Sequence, residues 1–307
     1  MHQVYFVREN KRIEVPEGTT VLEAQRLAGL RPDAPCGGAG TCGKCQVTID
    51  GRQVPACQTP VRGDLQVDTA VSSSLEDAVI LTDGFSRPVA FKPRIAVRSV
   101  ELKKTVPGDK RSDWERLLQA LSDAGMPDTE PVLPDPELSS SLYERCRQDG
   151  TWYVAHTEKE ILDISSEREP FCLAAFDIGT TTLAGYLLDM DDGRVLAVES
   201  RLNPQAQYGA DVIMRSDYAL AHGTEALSLC IRRELDEMIG CLCAQAGRKR
   251  TNLLQICAAG NTCMHHLFLG ISPASLVHAP YTPAISQSMT LPAAAYGLSI
   301  HPKGQLL

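Results

Sequence analysis

Apolar and polar positions alternate with period two at the start of the chain. In VYFVREN and KRIEVPEG, β-branched and aromatic residues interleave with charged ones, which predicts two short strands turning at Glu9 and Asn10 into a hairpin. The period then changes. TTVLEAQRLAGL carries Val21, Leu22, Ala24, Leu27 and Ala28 at helical spacing, with Thr20 and Glu23 placed as a capping box and Gly29 as a stop. Period two returns in QVTIDGRQV, a hairpin turning on Asp50 and Gly51, and in the apolar strand of DLQVDTA. These elements form one compact unit of about 80 residues. It is interrupted by CGGAGTCGKC, residues 36–45, which has no hydrophobic period at all.

From residue 71 to 170 the periodic signals thin out. SSS, FSRPVAFKP and MPDTEPVLPDPELSS surround one convincing helix, DWERLLQALSDAG, so 81–170 reads as a linker and small adapter region with a strand pair in TWYVAHTEKEILDI. At Phe171 the pattern sharpens. FCLAAFDIG is a buried strand, TLAGYLLDM a second, and GRVLAVESRL a third, the last two joined by a hairpin at Asp191, Asp192 and Gly193. Leu227, Ile231, Leu235, Met238, Leu242 and Ala246 then recur every three or four residues, giving a long amphipathic helix that Gly247 ends. LLQICAAG is a further strand, and NTCMHHLFLG a helix starting directly after it. The fold class expected is a combination of α+β and α/β, in three parts at 1–80, 81–170 and 171–307.

Composition bounds what such a chain can do. Its 307 residues, 43% of them apolar, can build two domains with sizeable cores. A formal net charge of -8 excludes nucleic acid as the default partner, because phosphate binding needs a basic stripe. No stretch approaches the roughly 20 apolar residues of a membrane span, and MHQVYFVREN lacks the apolar core of a secretion signal, so a cytoplasmic location without a membrane partner is expected. The eleven cysteines change the picture. Cys36, Cys42, Cys45 and Cys57 fall within 22 residues, whereas Cys146, Cys172, Cys230, Cys241, Cys243, Cys257 and Cys263 are scattered. In a reducing compartment a tight cluster means metal before disulfide.

The cluster runs Cys, five residues, Cys, two residues, Cys, eleven residues, Cys. Three close thiolates plus a distant one is the plant-type 2Fe-2S arrangement rather than the bacterial four-iron run. Glycines at 37, 38, 40 and 43 let the backbone wrap closely and aim N–H groups at the sulfurs. Structural zinc is the competing reading, but it usually takes two short Cys-x2-Cys knuckles, and one such pair is present. With these residues in view, 1 to about 80 resembles a plant-type 2Fe-2S ferredoxin domain of β-grasp fold, PCGGAGTCGKC and ACQTPV matching its ligand loops. The resemblance implies that Cys36, Cys42, Cys45 and Cys57 are the metal ligands. The first gap is five residues instead of four and the last is short, departures that favour a domain within a larger redox protein.

FDIGTTTLAG places an acid at the end of a buried strand, then a glycine, then three hydroxyls in a tight turn. Such a turn can present N–H groups and hydroxyls to a phosphate while the carboxylate holds a hydrated magnesium ion; a plain hairpin with threonines at strand positions is the alternative. Three strands, a helical region, a strand and a helix resemble the first half of the actin, sugar kinase and chaperone ATPase superfamily, a ribonuclease H-like fold. On that resemblance Asp177 handles magnesium and Gly179, Thr180, Thr181 and Thr182 the phosphates, with Asn261 after the strand-end Gly260 facing the same region. His265 and His266, adjacent on a helix, cannot both face one site, and the scattered cysteines read as packing.

Taken in order, the cysteine loop, DIGTTT, NPQAQYGADVIMR, AAGNTCMHHLFLG and APYTPA are similar to the reductive activators of corrinoid proteins. The resemblance implies an iron-sulfur electron-transfer protein, linked to ATP and Mg, that takes electrons from a donor and returns the cobalt(II) of a corrinoid protein to cobalt(I). That couple lies below a plant-type cluster at roughly -400 mV, and each 59 mV costs about tenfold in equilibrium. ATP would drive the step by favouring one protein–protein state over another, with the iron-sulfur domain as a mobile shuttle on a linker at 81–100. The superfamily's second half supplies another phosphate loop and the adenosine pocket. This sequence stops at GQLL, after the first half, so ATPase activity would need a second half supplied elsewhere, and whether the chain is itself an enzyme stays open, as does its oligomeric state. The alternative of a different class is a non-enzymatic 2Fe-2S carrier with a docking half-domain.

Overall fold

The computed structural model describes residues 1–30, 32–34, 36–69, 90–126 and 135–307. Strands β1 (His2–Phe6) and β2 (Lys11–Val15) form the expected antiparallel hairpin, closed by Asn10 at φ 51°. Helix α1 (Val21–Leu27) follows, then the hairpin of β3 (Gln46–Ile49) and β4 (Arg52–Pro55), whose Asp50 and Gly51 both have the positive φ of a type I′ turn. Strand β5 (Leu65–Thr69) inserts between the hairpins, parallel to β1 and antiparallel to β3, for an order β2-β1-β5-β3-β4. Val21, Leu22 and Ala24 of α1 bury against Val4, Phe6, Val47 and Val67 of the sheet, as a β-grasp requires. The capping box is half made: Thr20 Oγ1 accepts from the Glu23 amide at 3.2 Å, but the Glu23 carboxylate turns to Arg26 instead of back to the cap.

Where the sequence predicted a linker and adapter, the described residues form a small unit with its own core. Strands β6 (Ala96–Leu102), β7 (Gly150–His156) and β8 (Ile161–Ser165) make an antiparallel sheet in the order β6-β7-β8. Helices α2 (Asp113–Asp123) and α3 (Pro136–Arg145) belong to the same unit, where Leu117, Leu121 and Leu142 bury against Val100, Trp152, Val154 and Ile164. Helix α2 and the pair β7 and β8 match the sequence reading; β6 and α3 lie in stretches read as linker. The tether expected at 81–100 therefore runs into a paired strand at its end, and its first residues, 81–89, lie outside the described residues, as do 70–80 of the N-terminal unit.

The third unit is built on the meander β9 (Cys172–Ile178), β10 (Thr182–Asp189) and β11 (Val195–Leu202). Helices α4 (Val212–His222) and α5 (Glu225–Gln245) lead to β12 (Leu253–Gly260), which pairs parallel to β9, and α6 (Thr262–Leu269) leaves its end. Two-residue strands β13 (Leu291–Pro292) and β14 (Gln305–Leu306) complete a sheet in the order β11-β10-β9-β12-β14-β13, with β14 parallel to β12. The apolar stripe of α5, Leu227, Ile231, Leu235, Met238 and Leu242, is fully buried with Phe176, Leu183 and Leu187 of the sheet. Gly185 lets the helix approach: a Cβ there would meet the Phe176 ring at 2.6 Å and Leu242 at 3.3 Å.

Candidate functional site: a cysteine loop and a threonine turn

The first site lies in the loop between α1 and β3, joined by Cys57 from the turn after β4. Cys36 and Cys45 are buried, and Cys42 and Cys57 half-buried. The thiols stand in two pairs: Cys42 Sγ is 3.2 Å from Cys36 Sγ, and the Cys57 thiol lies near that of Cys45. Burial pushes the Cys36 thiol up, but donors from the Cys42 thiol and from the amides of Cys42, Gly38 and Thr41 outweigh it and bring the thiol down to about 6. Burial, the Cys45 thiol near it and the charges of Cys45 and Cys36 push Cys57 up to about 11, against one amide donor from Gly40. Amide donors gathered around clustered sulfurs are what stabilises thiolates as metal ligands.

Two adjacent thiol pairs fit a binuclear centre, in which each iron takes two thiolates. The loop's backbone is drawn in tightly as well. A Cβ at Gly40 would meet the Gln58 side chain at 2.3 Å. The residues present thus fit a 2Fe-2S cluster, while Ala39, Thr41, Gly43 and Lys44 form an exposed rim.

The second site lies where the parallel strands β9 and β12 end side by side, Asp177 opposite Ala259 and Ile178 opposite Gly260. Ligands of open α/β sheets sit outside such carboxyl ends. The turn 179–181 carries β9 into β10, and it is too tight for a side chain at 179, whose Cβ would meet Thr182 O at 2.6 Å. Donors behind the turn take all three of its carbonyls. Asn203 Nδ2 donates to Gly179 O at 2.7 Å, Arg215 Nη2 to Thr180 O at 2.6 Å, and the Asn203 amide to Thr181 O at 2.8 Å. Asp177, Thr181 and Asn261 are exposed on the outer side. Asn261 caps α6 by accepting from the Met264 amide at 3.0 Å and donates to Thr180 Oγ1 at 3.2 Å, so the structure brings Asn261 and Thr180 together, and Thr182 starts β10.

A cavity of about 440 Å³ opens beside this end of the sheet, lined by Ile178, Gly260, Thr262, His265 and Met289 among others. The neighbouring His266 is fully buried with both ring nitrogens engaged, Nδ1 with Thr262 O at 2.7 Å and Nε2 with the Ala284 amide at 3.1 Å, which leaves none for a metal.

Comparison with known proteins separates the two sites into two families. Residues 5–71 match the 2Fe-2S iron-sulfur cluster binding domain, and 172–307 match the RACo middle region. The chain thus resembles a 2Fe-2S domain in its first part and a RACo middle region in its last. It is homologous to the corrinoid activation enzyme RamQ of Eubacterium limosum, with 30% identity over 314 residues covering 98% of this chain and 51% of the relative. A solved structure, a reductive activator for corrinoid, iron-sulfur protein, superposes with a TM-score of 0.65 at 30% identity, covering 100% of this chain and 54% of that one. The chain therefore spans about half the length of these relatives.

Between the cysteine loop and the threonine turn lies a segment whose role the sequence did not show. Residues 203–218 of the RACo middle region form the seat on which the 2Fe-2S domain rests. Only 5% of the Arg26 side chain, from the last turn of α1, is exposed. Its guanidinium lies over the Tyr208 ring at 4.6 Å and the Tyr218 ring at 5.4 Å, and donates to Gly37 O at 3.2 Å and to Gln207 O. Gly37 itself comes so close that a Cβ would meet Tyr208 O at 2.4 Å. NPQAQYGADVIMR stood out as a motif without a task; its Asn203, Gln205, Gln207, Tyr208 and Arg215 are all buried polar or aromatic residues.

Proposed function

We infer that this chain is the electron-carrying part of a reductive activator of a corrinoid protein, linked to ATP and magnesium. Cys36, Cys42, Cys45 and Cys57 would hold the 2Fe-2S cluster, and Asp177, Gly179, Thr180, Thr181, Thr182 and Asn261 would receive magnesium and phosphate. The cluster supplies one-electron transfer. What carries the reading is the gathering of four thiols in two pairs under amide donors, in a chain aligned over nearly all its length with corrinoid activators.

The chain's own residues divide the work. Amides of Gly38, Thr41 and Cys42 stabilise negative charge on Cys36 and so would tune a cluster held there. The exposed rim at Ala39, Thr41, Gly43 and Lys44 leaves one side of the loop open, where an electron donor and the corrinoid protein can approach in turn. The threonine turn has its carbonyls fixed inward, its Thr180 hydroxyl beside Asn261, and Asp177 exposed at the end of the strand before it, a set that would suit phosphate and a hydrated magnesium ion.

The test is spectroscopic. Chemically reduced, cluster-loaded chain is mixed anaerobically with a cobalt(II) corrinoid protein, with and without ATP and magnesium, and cobalt(I) is followed by its absorbance. Cobalt(I) formation that depends on ATP supports the reading. Electron transfer that ignores ATP would favour the plain carrier with a docking half-domain, and no cobalt(I) under either condition would remove the corrinoid assignment for this chain.

A further inference from the structure

The segment 203–218 has two working ends. At one, Gln207 O and the rings of Tyr208 and Tyr218 hold Arg26, which also holds the cysteine loop through Gly37 O. At the other, Asn203 and Arg215 hold the three carbonyls of the threonine turn. Arg215 joins the ends directly. Its Nη2 donates to Thr180 O while its Nε donates to Gly209 O at 2.9 Å, the residue after Tyr208. Gly209 is wedged in place, since a Cβ there would meet the Arg215 amide nitrogen at 2.6 Å.

Arg215 also points to a ligand. It is 0% exposed, and its remaining partners are neutral, Gln205 Oε1 at 3.5 Å and Met264 Sδ at 3.4 Å. Among the described residues no carboxylate forms an ion pair with it; the Asp211 charge reaches it only from a distance, that carboxylate being engaged with the Met214 amide at 2.8 Å. A buried cation without a directly paired anion is costly, and an anion on the outer face of the Thr180 turn would offset that cost.

We propose that 203–218 is a shared mount that couples the two sites: an anionic ligand on the threonine turn and the seated 2Fe-2S domain each strengthen the other's binding. The inference rests on the reading above that nucleotide phosphates occupy this turn. Coupling of this kind is reciprocal, so whatever factor the ligand adds to seating, seating adds to ligand affinity. In the seated state the Gly37 side of the cysteine loop is covered and its Ala39 to Lys44 rim faces out, so nucleotide occupancy would set how the loop is presented to partners.

The experiment uses cluster-loaded full chain in three forms: wild type, Arg26→Ala and Tyr218→Leu. Calorimetry with ATP and magnesium gives affinity, and hydrogen exchange of residues 21–28 and 203–218 gives seating; thermal melting and visible absorbance check that each form is folded and loaded. The expected result is that ATP slows exchange in both segments of the wild type, while each variant exchanges faster there and binds ATP about fivefold more weakly or worse. Equal ATP affinity in all three forms would overturn the coupling and leave nucleotide binding standing. No ATP binding by the wild type would overturn both. If one variant fails to fold, the other gives the same comparison from the opposite side of the contact.

Discussion

Cys57 is separated from Cys45 by eleven residues, yet its thiol ends beside that of Cys45, because the β3 and β4 hairpin returns the chain to the loop. Cys57→Ser should therefore bleach most of the visible absorption of the loaded protein, whereas Cys257→Ser, at an exposed position far along the chain, should leave it unchanged. An unaltered spectrum in Cys57→Ser would remove it from the ligand set. A second residue sets a pH dependence. Burial pushes His156 below its usual range, and the Arg98 charge adds to this; Arg98 Nε donates to His156 Nε2 at 3.2 Å, so that nitrogen must be unprotonated. Below about pH 6.5 the unfolded chain binds a proton that the folded one refuses, so this contribution to stability is present above the unfolded value and lost as pH falls. Denaturation midpoints between pH 7.5 and 5 should decline with a slope of up to about 1.4 kcal/mol per pH unit from this group, and His156→Gln should flatten it. At this scale the sequence was informative where chemistry is local, as in four cysteines at telling intervals within the stretch that matches a 2Fe-2S domain. Arg26, Tyr208 and Arg215 were not readable, because a surface-type residue 181 positions from its partner gives no local sign that it will be buried.

Among the elements, those with long or clean periodicity were legible. Helix α5 and the meander β9, β10 and β11 follow their apolar positions closely. Helix α3 was hidden because its Asp135 cap and first-turn Pro136 read as loop residues, though together they form an ordinary helix start, Asp135 accepting from the Leu138 amide at 2.8 Å. Strand β6 breaks the spacing of its apolar residues with the adjacent Arg98 and Ser99, and β13 and β14 are too short to show a period. The fit of α5 on the sheet is measurable. Leu235→Ala should cost about 2–5 kcal/mol from the cavity it leaves, and Gly185→Val about 1–3 kcal/mol by forcing Phe176 aside, both read as shifts in the urea midpoint. Values near zero would mean that the helix and sheet repack freely.

For the whole molecule, three units each have a core, a further cluster of Ile95, Ala155, Leu162, Phe171, Met190 and Leu254 joins the second to the third, and no helix among the described residues is long and apolar enough to cross a membrane. Removing the iron should act unevenly. A cofactor that binds the folded domain stabilises it by mass action, so scanning calorimetry of iron-free and loaded chain should show the 2Fe-2S domain melting earlier without iron, while the transition of the RACo middle region moves little. Identical shifts in both would mean that they unfold as one.

Position 37 carries a consequence of its own. Gly43 has φ +64° and nothing within 4 Å of where a side chain would begin; Gly37 has φ +67° and the Tyr208 carbonyl in the way. Asparagine tolerates such a backbone angle, so at 43 it should cost little, and at 37 its cost would come almost entirely from another part of the chain. A graded set of side chains at 37, scored against the same set at 43, would act as a feeler gauge: the difference in tolerance reads the clearance between two surfaces without any label or ligand.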